Sequence, residues 1–215
     1  MRKLLKFLFW TALVFGVIAG LARATVLRWL QIPNVDPLAT TALAPTLQGG
    51  DWVLVWRATE PGLGDLVVCP NPQDPDELVV GRIMGEAGDE IAVDSVDVVR
   101  NGRKVPTERN CNHEVFVEHP STGGEVELAC DWEEIAGRTH MRARRRADTK
   151  FGRPKHIRTT VPEGFVYLVS DNRQFHYDSR NYGSVERDTC REKVFFRLVG
   201  PDGFSDPESR LTYIH

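Results

Sequence analysis

Little in this chain marks it as a metal or redox protein. Only four cysteines stand among its 215 residues, Cys69, Cys111, Cys130 and Cys190, and none is spaced as a Cys-x-x-Cys pair. Neither a zinc site nor a thioredoxin-like dithiol is expected, and no cofactor is implied. The chain also lacks a surplus of charge: 27 Lys and Arg against 30 Asp and Glu leave a net charge of −3, so bulk charge implies no nucleic-acid partner. Internal repeats and low-complexity tracts are absent. What remains is 41% hydrophobic, enough for one domain, or one domain with an inserted lobe, to fold without staples. Cys111 and Cys130 flank a candidate hairpin. They form a disulfide if the domain is exported and are ordinary buried thiols otherwise.

One long apolar run is present. Arg2, Lys3 and Lys6 precede residues 7–22, and Arg23 and Arg28 follow. The run is a little short for a spanning helix, but Leu4, Leu5 and a snorkelling Lys6 extend it. The basic N-terminus predicts that end in the cytoplasm and the rest outside. Ala22-Arg23-Ala24 has the small-x-small form of a cleaved signal peptide. The Arg inside that motif favours an uncleaved anchor over residues 1–30. Residues 25–32 continue amphipathically (Val26, Leu27, Trp29, Leu30, Ile32), either extending the helix or lying at the membrane interface; Pro33 and Pro37 then end it.

Beyond the anchor, short strand patterns separated by turn signals run through 52–56, 65–69, 77–84, 90–93, 97–100, 165–169 and 193–199, with Asn101-Gly102 as a strong hairpin turn. The expected fold is mainly β and antiparallel, barrel-like. Residues 31–106 and 160–203 form its core. An inserted β lobe spans 107–159, with strands at 114–118, 125–130 and from 141 onward, and 204–215 is a tail with no evident place. Arg142, Arg144, Arg145, Arg146, Lys150, Arg153, Lys155 and Arg158 give the lobe a basic side. That side is either a solvated face or a contact for anionic lipid or an acidic partner.

The densest polar stretch is 161–185, VPEGFVYLVSDNRQFHYDSRNYGSV. Its plain reading is a loop fixed by bidentate Asp–Arg pairs. Ser170-Asp171-Asn172-Arg173 followed by His176-Tyr177-Asp178-Ser179-Arg180-Asn181-Tyr182-Gly183 resembles the Gly-Asp-Asn-Arg…Ser-x-Asp-Ser-Arg-x-x-Gly box of the type I signal peptidases. Ser170 replaces the family Gly, and His176 a family Ser. Three more boxes agree in order: Pro45-Thr46-Leu47 with Gly50-Asp51, then Gly64-Asp65, then Arg82-Ile83-Met84-Gly85-Glu86-Ala87-Gly88-Asp89.

The resemblance implies the signal peptidase fold, an uncleaved anchor, and hydrolysis after small-x-small motifs in exported precursors. In that family a Ser attacks and a buried, deprotonated Lys takes its proton. Aligned on these anchors, the Ser position holds Ala42 and the Lys position Gly81. Thr40 falls where a hydroxyl assists the oxyanion hole. Leu38, Ala39, Leu43, Val79 and Val80 fall on the peptide groove, and Asp171, Asn172, Arg173, Asp178 and Arg180 on the structural loop. Three readings follow. The chain has lost the chemistry and binds signal peptides or other extended peptides, or assists an active peptidase or an assembly system at the cytoplasmic membrane. Or a relocated nucleophile, Thr41 or Thr40, works with His176 as base, although moving to Thr41 shifts one residue along a strand and turns the side chain to the other face. Or the reactive residues were removed by engineering.

Overall fold

The computed structural model describes residues 2–34, 36–94, 96–112, 114–146, 157–207 and 209–214. Its elements in order are helix α1 (Arg2–Thr25), β1 (Leu27–Gln31), α2 (Pro37–Thr41), β2 (Trp52–Trp56), β3 (Leu66–Pro70), β4 (Leu78–Glu86), β5 (Glu90–Asp94), β6 (Asp97–Arg100) and β7 (Arg103–Lys104). There follow β8 (Thr107–Arg109), β9 (Val115–Glu118), β10 (Glu125–Ile135), β11 (Arg138–Arg144), β12 (Ile157–Thr160), β13 (Phe165–Val169), α3 (Ser179–Tyr182), β14 (Val185–Glu186), β15 (Glu192–Val199) and β16 (Thr212–Tyr213). The main sheet has eight strands in the order β1-β2-β15-β3-β4-β13-β14, with β16 on β15. A second sheet runs β12-β5-β6-β7, and a third β11-β10-β8 with β9 also on β10.

Alternation builds these sheets. In β2, Val53 and Val55 are fully buried while Trp52 and Trp56 stay outside, the period-2 pattern of a strand with one core face. Each buried valine contributes roughly 1.5–3 kcal/mol of apolar burial. By contrast β4 is buried from Val79 to Gly85 on both faces, because it sits centrally between β3 and β13. Val79 and Ile83 face one apolar cluster and Met84 another.

Three Gly-Asp dipeptides repeat one turn. The amides of Asp51, Asp65 and Asp89 donate to the carbonyls three residues back, of Gln48, Gly62 and Glu86, at 3.2, 3.0 and 2.9 Å. The preceding glycines hold φ of 90°, 83° and 84°, open to glycine at little cost at the third position of such a turn. Each carboxylate then accepts the N–H of the turn's first residue at 2.9–3.0 Å. A basic side chain reaches each one as well: Arg197 to Asp51, Arg138 and Lys193 to Asp65, Arg100 to Asp89. At the 101–102 hairpin, Asn101 and Gly102 have φ of 52° and 73°, as a type I′ turn demands.

Several expectations change. Residues 27–31 do not continue the helix. Thr25 closes α1 with its hydroxyl on Leu21 O at 2.8 Å, and the next residues pair with β2 from Leu27↔Trp56 to Gln31↔Trp52. A sheet edge open to pairing overrides the helical pattern, and Arg28 anchors the strand on Glu192 at 3.0 Å. The sheet therefore begins inside the stretch assigned to the anchor. The segment around residues 38–43 is not a strand but the short helix α2, with Asp36 as N-cap accepting from Leu38 N at 2.8 Å and Pro37 in the first turn, a regular helix start. The tail has a place too: Thr212 and Tyr213 pair with β15, and Ile214 enters the apolar cluster of Val53, Val55 and Val194.

At its described residues the basic side of the lobe is solvated only in part: Arg146 and Arg158 are exposed and Arg144 is half-buried, but Arg142 is not on the surface. Arg142 is buried and pairs with Asp97, Asp131 and Glu133 at 3.2–3.4 Å. Arg144 pairs with Asp131, Arg146 with Glu127, and Arg158 with Glu90. Lys150, Arg153 and Lys155 lie outside the described residues. Cys111 and Cys130 are bridged, with Cα atoms 5.5 Å apart. Cys69 and Cys190, 121 residues apart in sequence, are bridged as well, at 4.6 Å.

The Arg82 side chain on β4 is fully buried and forks onto Asp171, at 2.9 Å from Nε and 2.8 Å from Nη2. Asp171→Asn leaves that guanidinium without its counter-charge and is expected to cost ~3–5 kcal/mol in urea unfolding. The double variant Arg82→Met/Asp171→Asn is expected to be less destabilised than the sum of the two singles; strict additivity contradicts the coupling.

Candidate functional site

The site is assembled around the loop that leaves β13. Its two Asp-x-Arg pairs have different partners. Asp178 holds Arg180 by two bonds of 2.9 and 2.6 Å, caps α3 by accepting from Arg180 N at 3.0 Å, and accepts Ser170 N at 2.8 Å. Asp171 instead holds Arg82 and accepts the Thr46 hydroxyl at 2.5 Å. Arg173 reaches across to Glu133 of β10. Burial opposes charge on all three carboxylates, yet the facing cations win. Arg82 holds Asp171 at about 2, Arg180 holds Asp178 at about 2, and Arg173 with His140 and Arg142 holds Glu133 at about 2.

This loop clamps the segment that carries Ala42. Asn172 N donates to Ala42 O at 3.0 Å, and Asn172 Nδ2 to Thr41 O at 2.9 Å. Its other side joins the lobe: Ala143 N donates to Asp171 O at 2.9 Å and Arg173 N to Ala143 O at 2.8 Å. Ala42 is buried at the C-cap of α2. Gly81 pairs with Val67 in β4, on the face shared by Val79 and Ile83. A Cβ added there would stand 3.0 Å from Leu168 Cβ. Leu168, fully buried, lies two residues ahead of Ser170. Ala42 and Gly81 thus both abut the stretch 168–172, one through its carbonyl and the other through Leu168.

Neither atom a Ser/Lys reaction needs is present at these two positions. Thr40 donates its hydroxyl hydrogen within its own helix, to Asp36 O and Pro37 O at 3.1 Å. Thr41 donates to Glu118 O at 3.2 Å. His176 Nδ1 sits 2.9 Å from Asn181 Oδ1 and 3.9 Å from Asp178. Leu43 and Val80 share one apolar cluster, Val79 belongs to another, and Leu38 packs against a third; Ala39 is half-buried. Among the described residues no group of His, Cys, Asp and Glu is arranged to hold a metal.

A family model described as "Signal peptidase, peptidase S26" matches residues 4–199. The chain belongs to the S26 signal peptidase family. It is 25% identical over 191 residues to a protein named Signal peptidase I from Aquifex aeolicus, covering 76% of this chain and 75% of that one. It is 27% identical over 171 residues to Mitochondrial inner membrane protease subunit 1 from Schizosaccharomyces pombe, covering 77% and 73%. Antiparallel sheets behind an apolar N-terminal helix agree with that family's fold. Helix α1 is long and apolar enough over Arg2–Leu21 to cross a membrane.

Sequence reasoning missed His140 and Glu133, which no motif marks. His140 is buried on β11, with Nε2 3.1 Å from Glu133 Oε2 and 4.0 Å from Asp171 Oδ1. A cavity of about 620 Å³ opens beside it, also lined by Thr40, Thr41 and Thr46. Ala42, Gly81 and His176 are not among its lining residues.

The pH dependence follows from these groups. Asp171, Asp178 and Glu133 have folded values near 2, below their ordinary 3.8, 3.8 and 4.5. Their stabilisation is present above the ordinary values and is lost as pH falls through about 2. Asp51 runs the other way: burial, opposed by Gln48 N–H and Arg197, raises it from 3.8 to about 6. Its contribution is present below pH 3.8 and is lost as pH rises through 6. The urea midpoint should therefore climb from pH 2 to about 4.5; from there to about 6 the Asp51 loss opposes a gain from His140, whose pKa burial lowers from 6.5. Asp51→Asn should keep the climb and, between about 4.5 and 6, rise relative to the unaltered chain; a flat acid limb, or parallel curves for the two chains above pH 4.5, contradicts the assignment.

Proposed function

We propose that this chain is a membrane-anchored member of the signal peptidase family that holds extended peptides without cleaving them, its Ser and Lys positions being Ala42 and Gly81. The supporting observation is that both positions are closed to the chemistry. Ala42 offers a methyl group, and at Gly81 a Cβ would already stand 3.0 Å from Cβ of the fully buried Leu168. Loss of a nucleophile and base that act as a unit removes about six decades of rate. The Thr40 hydroxyl bonds locally, to Asp36 O or Pro37 O. The relocated pair draws no support: Thr41 faces the lobe-side cavity, which His176 does not line. The capacity to bind an extended peptide near Leu38, Ala39, Leu43, Val79 and Val80 rests on the family resemblance.

In this reading the basic N-terminus stays in the cytoplasm and the β domain lies on the far side of the cytoplasmic membrane. Two disulfides, at Cys69–Cys190 and Cys111–Cys130, fit an oxidising compartment. The outward tryptophans Trp29, Trp52 and Trp56, on the strands next to α1, suit the membrane–water interface.

The activity test is cleavage of a preprotein carrying an Ala-x-Ala site by the detergent-solubilised chain, beside Thr41→Ala and His176→Ala. No cleavage by any of the three is expected. Cleavage abolished in both variants establishes a relocated mechanism and ends this reading. For topology, alkylation of intact cells without reductant should modify none of the four cysteines, and protease added outside the opened envelope should digest the β domain. Four reactive thiols or a protected domain would reverse the orientation.

A further inference from the structure

We infer that the lobe-side cavity is a second peptide site, in which a short basic segment adds as a strand to the edge of β9 that no described strand pairs and donates a side-chain hydrogen bond to His140 Nδ1. From the preceding proposal it takes only the class of ligand; its residues are different.

Glu114, Val115, Phe116, Val117 and Glu118 all line the cavity. Successive side chains of a strand point to opposite faces. Five consecutive lining residues therefore put the cavity along the edge of β9 rather than under one face. Among the described residues β9 pairs only with β10, from Glu118↔Glu125 to Val115↔Leu128. At one end of the other edge, Thr41 Oγ1 donates to Glu118 O. An edge of this kind is a template for an added strand, whose main chain supplies the hydrogen bonds. Five residues of strand run about 16 Å, and a cavity of about 620 Å³ lies within the size range of ligand sites.

His140 is 3% exposed and lines this cavity. Burial, and then the Arg82 guanidinium, push its pKa below 6.5, so the ring is neutral at pH 7. Its Nε2 faces the ionised Glu133 and therefore carries the hydrogen. Nδ1 is left with a bare lone pair, buried and with no hydrogen-bond partner among the described residues. A buried acceptor left unmade costs about 1–3 kcal/mol. A serine or threonine hydroxyl, or an asparagine or glutamine amide, on the incoming strand satisfies it.

Charge selects a basic segment. Glu114 and Glu118 stand exposed at the two ends of the lining stretch. On the facing wall Arg197 is engaged by Asp51 and by Thr212, and Asp206 adds a further carboxylate.

The test uses the full chain in detergent micelles and an acetylated, amidated hexapeptide of alternating Lys and Ser, followed by NMR. Saturable shifts at residues 114–118 and 139–141 are expected. N-methylation of the peptide backbone should abolish them, since it removes the strand's donors. Glu118→Lys, an exposed change that leaves the core intact, and His140→Phe should each weaken binding about tenfold, the equivalent of ~1.4 kcal/mol. Equal binding of the N-methylated peptide, or undiminished binding by Glu118→Lys, overturns the site. Shifts confined to 38–39, 43 and 79–81, positions that do not line the cavity, also overturn it while leaving the preceding proposal standing. Absence of shifts at 114–118 and 139–141 overturns it as well, and leaves the preceding proposal to its own test with a preprotein.

Discussion

The Asp171 carboxylate brings three parts of the chain to one point. It takes the Arg82 fork from β4 and the Thr46 hydroxyl from the segment after α2, and it lies 4.0 Å from His140 of the lobe. Burying these charges costs several kcal/mol per ion, repaid only when the geometry is good and the remaining lone pairs are met. Both conditions hold here, because each carboxylate oxygen of Asp171 receives one nitrogen of the fork and Thr46 adds a third bond. Glu133 extends the arrangement, meeting His140, Arg173 and Arg142 together. Removing one charge leaves its neighbours uncompensated, so β4, the 170–180 loop and the β10–β11 hairpin behave as one body. Such a network costs more to misfold than to complete, and it fixes where Ala42, held by Asn172, comes to rest.

Much of this was legible in the sequence, though not the partners. Alternation gave the strands, and the Gly-Asp dipeptides marked three turns whose common hydrogen bonding the structure reveals. The loop at 170–180 announced itself by composition. Reading Asp171 with Arg173 as a local pair was natural and incorrect, since their partners Arg82 and Glu133 are 89 and 40 residues away. No local pattern encodes such distances. The Cys69–Cys190 bridge, 121 residues apart, was hidden for the same reason.

Other features were hidden by competing local signals. Residues 27–31 carry a helical apolar pattern, yet a strand edge was available to them and pairing along it won. The short helix α2 hides inside a box that the resemblance led one to read as extended, although Asp36-Pro37 is a recognisable helix start. The arginine-rich run of 142–146 looked like a surface because charge runs usually are. Nothing local says that Asp97, Asp131 and Glu133 face Arg142 from other strands. His140 escaped because a lone histidine in an alternating segment carries no motif; its role depends on Glu133, across the hairpin.

The residues that make the family recognisable are those that hold the frame. Thr46, Arg82, Asp171, Asp178 and Arg180 spend their polar atoms on one another and on the backbone. Ala42 and Gly81 contribute to that frame through the main chain alone: Ala42 N donates to Leu38 O and Ala42 O accepts from Asn172 N, while Gly81 pairs with Val67. A side chain at either position can therefore be lost without opening a hydrogen bond in the network. Leu168 packs directly beside Gly81, its Cβ 3.0 Å from where a Cβ would stand. Frame and chemistry are separable in this chain, which keeps the Asp and Arg anchors of the box while carrying no group at these two positions that attacks or accepts a proton.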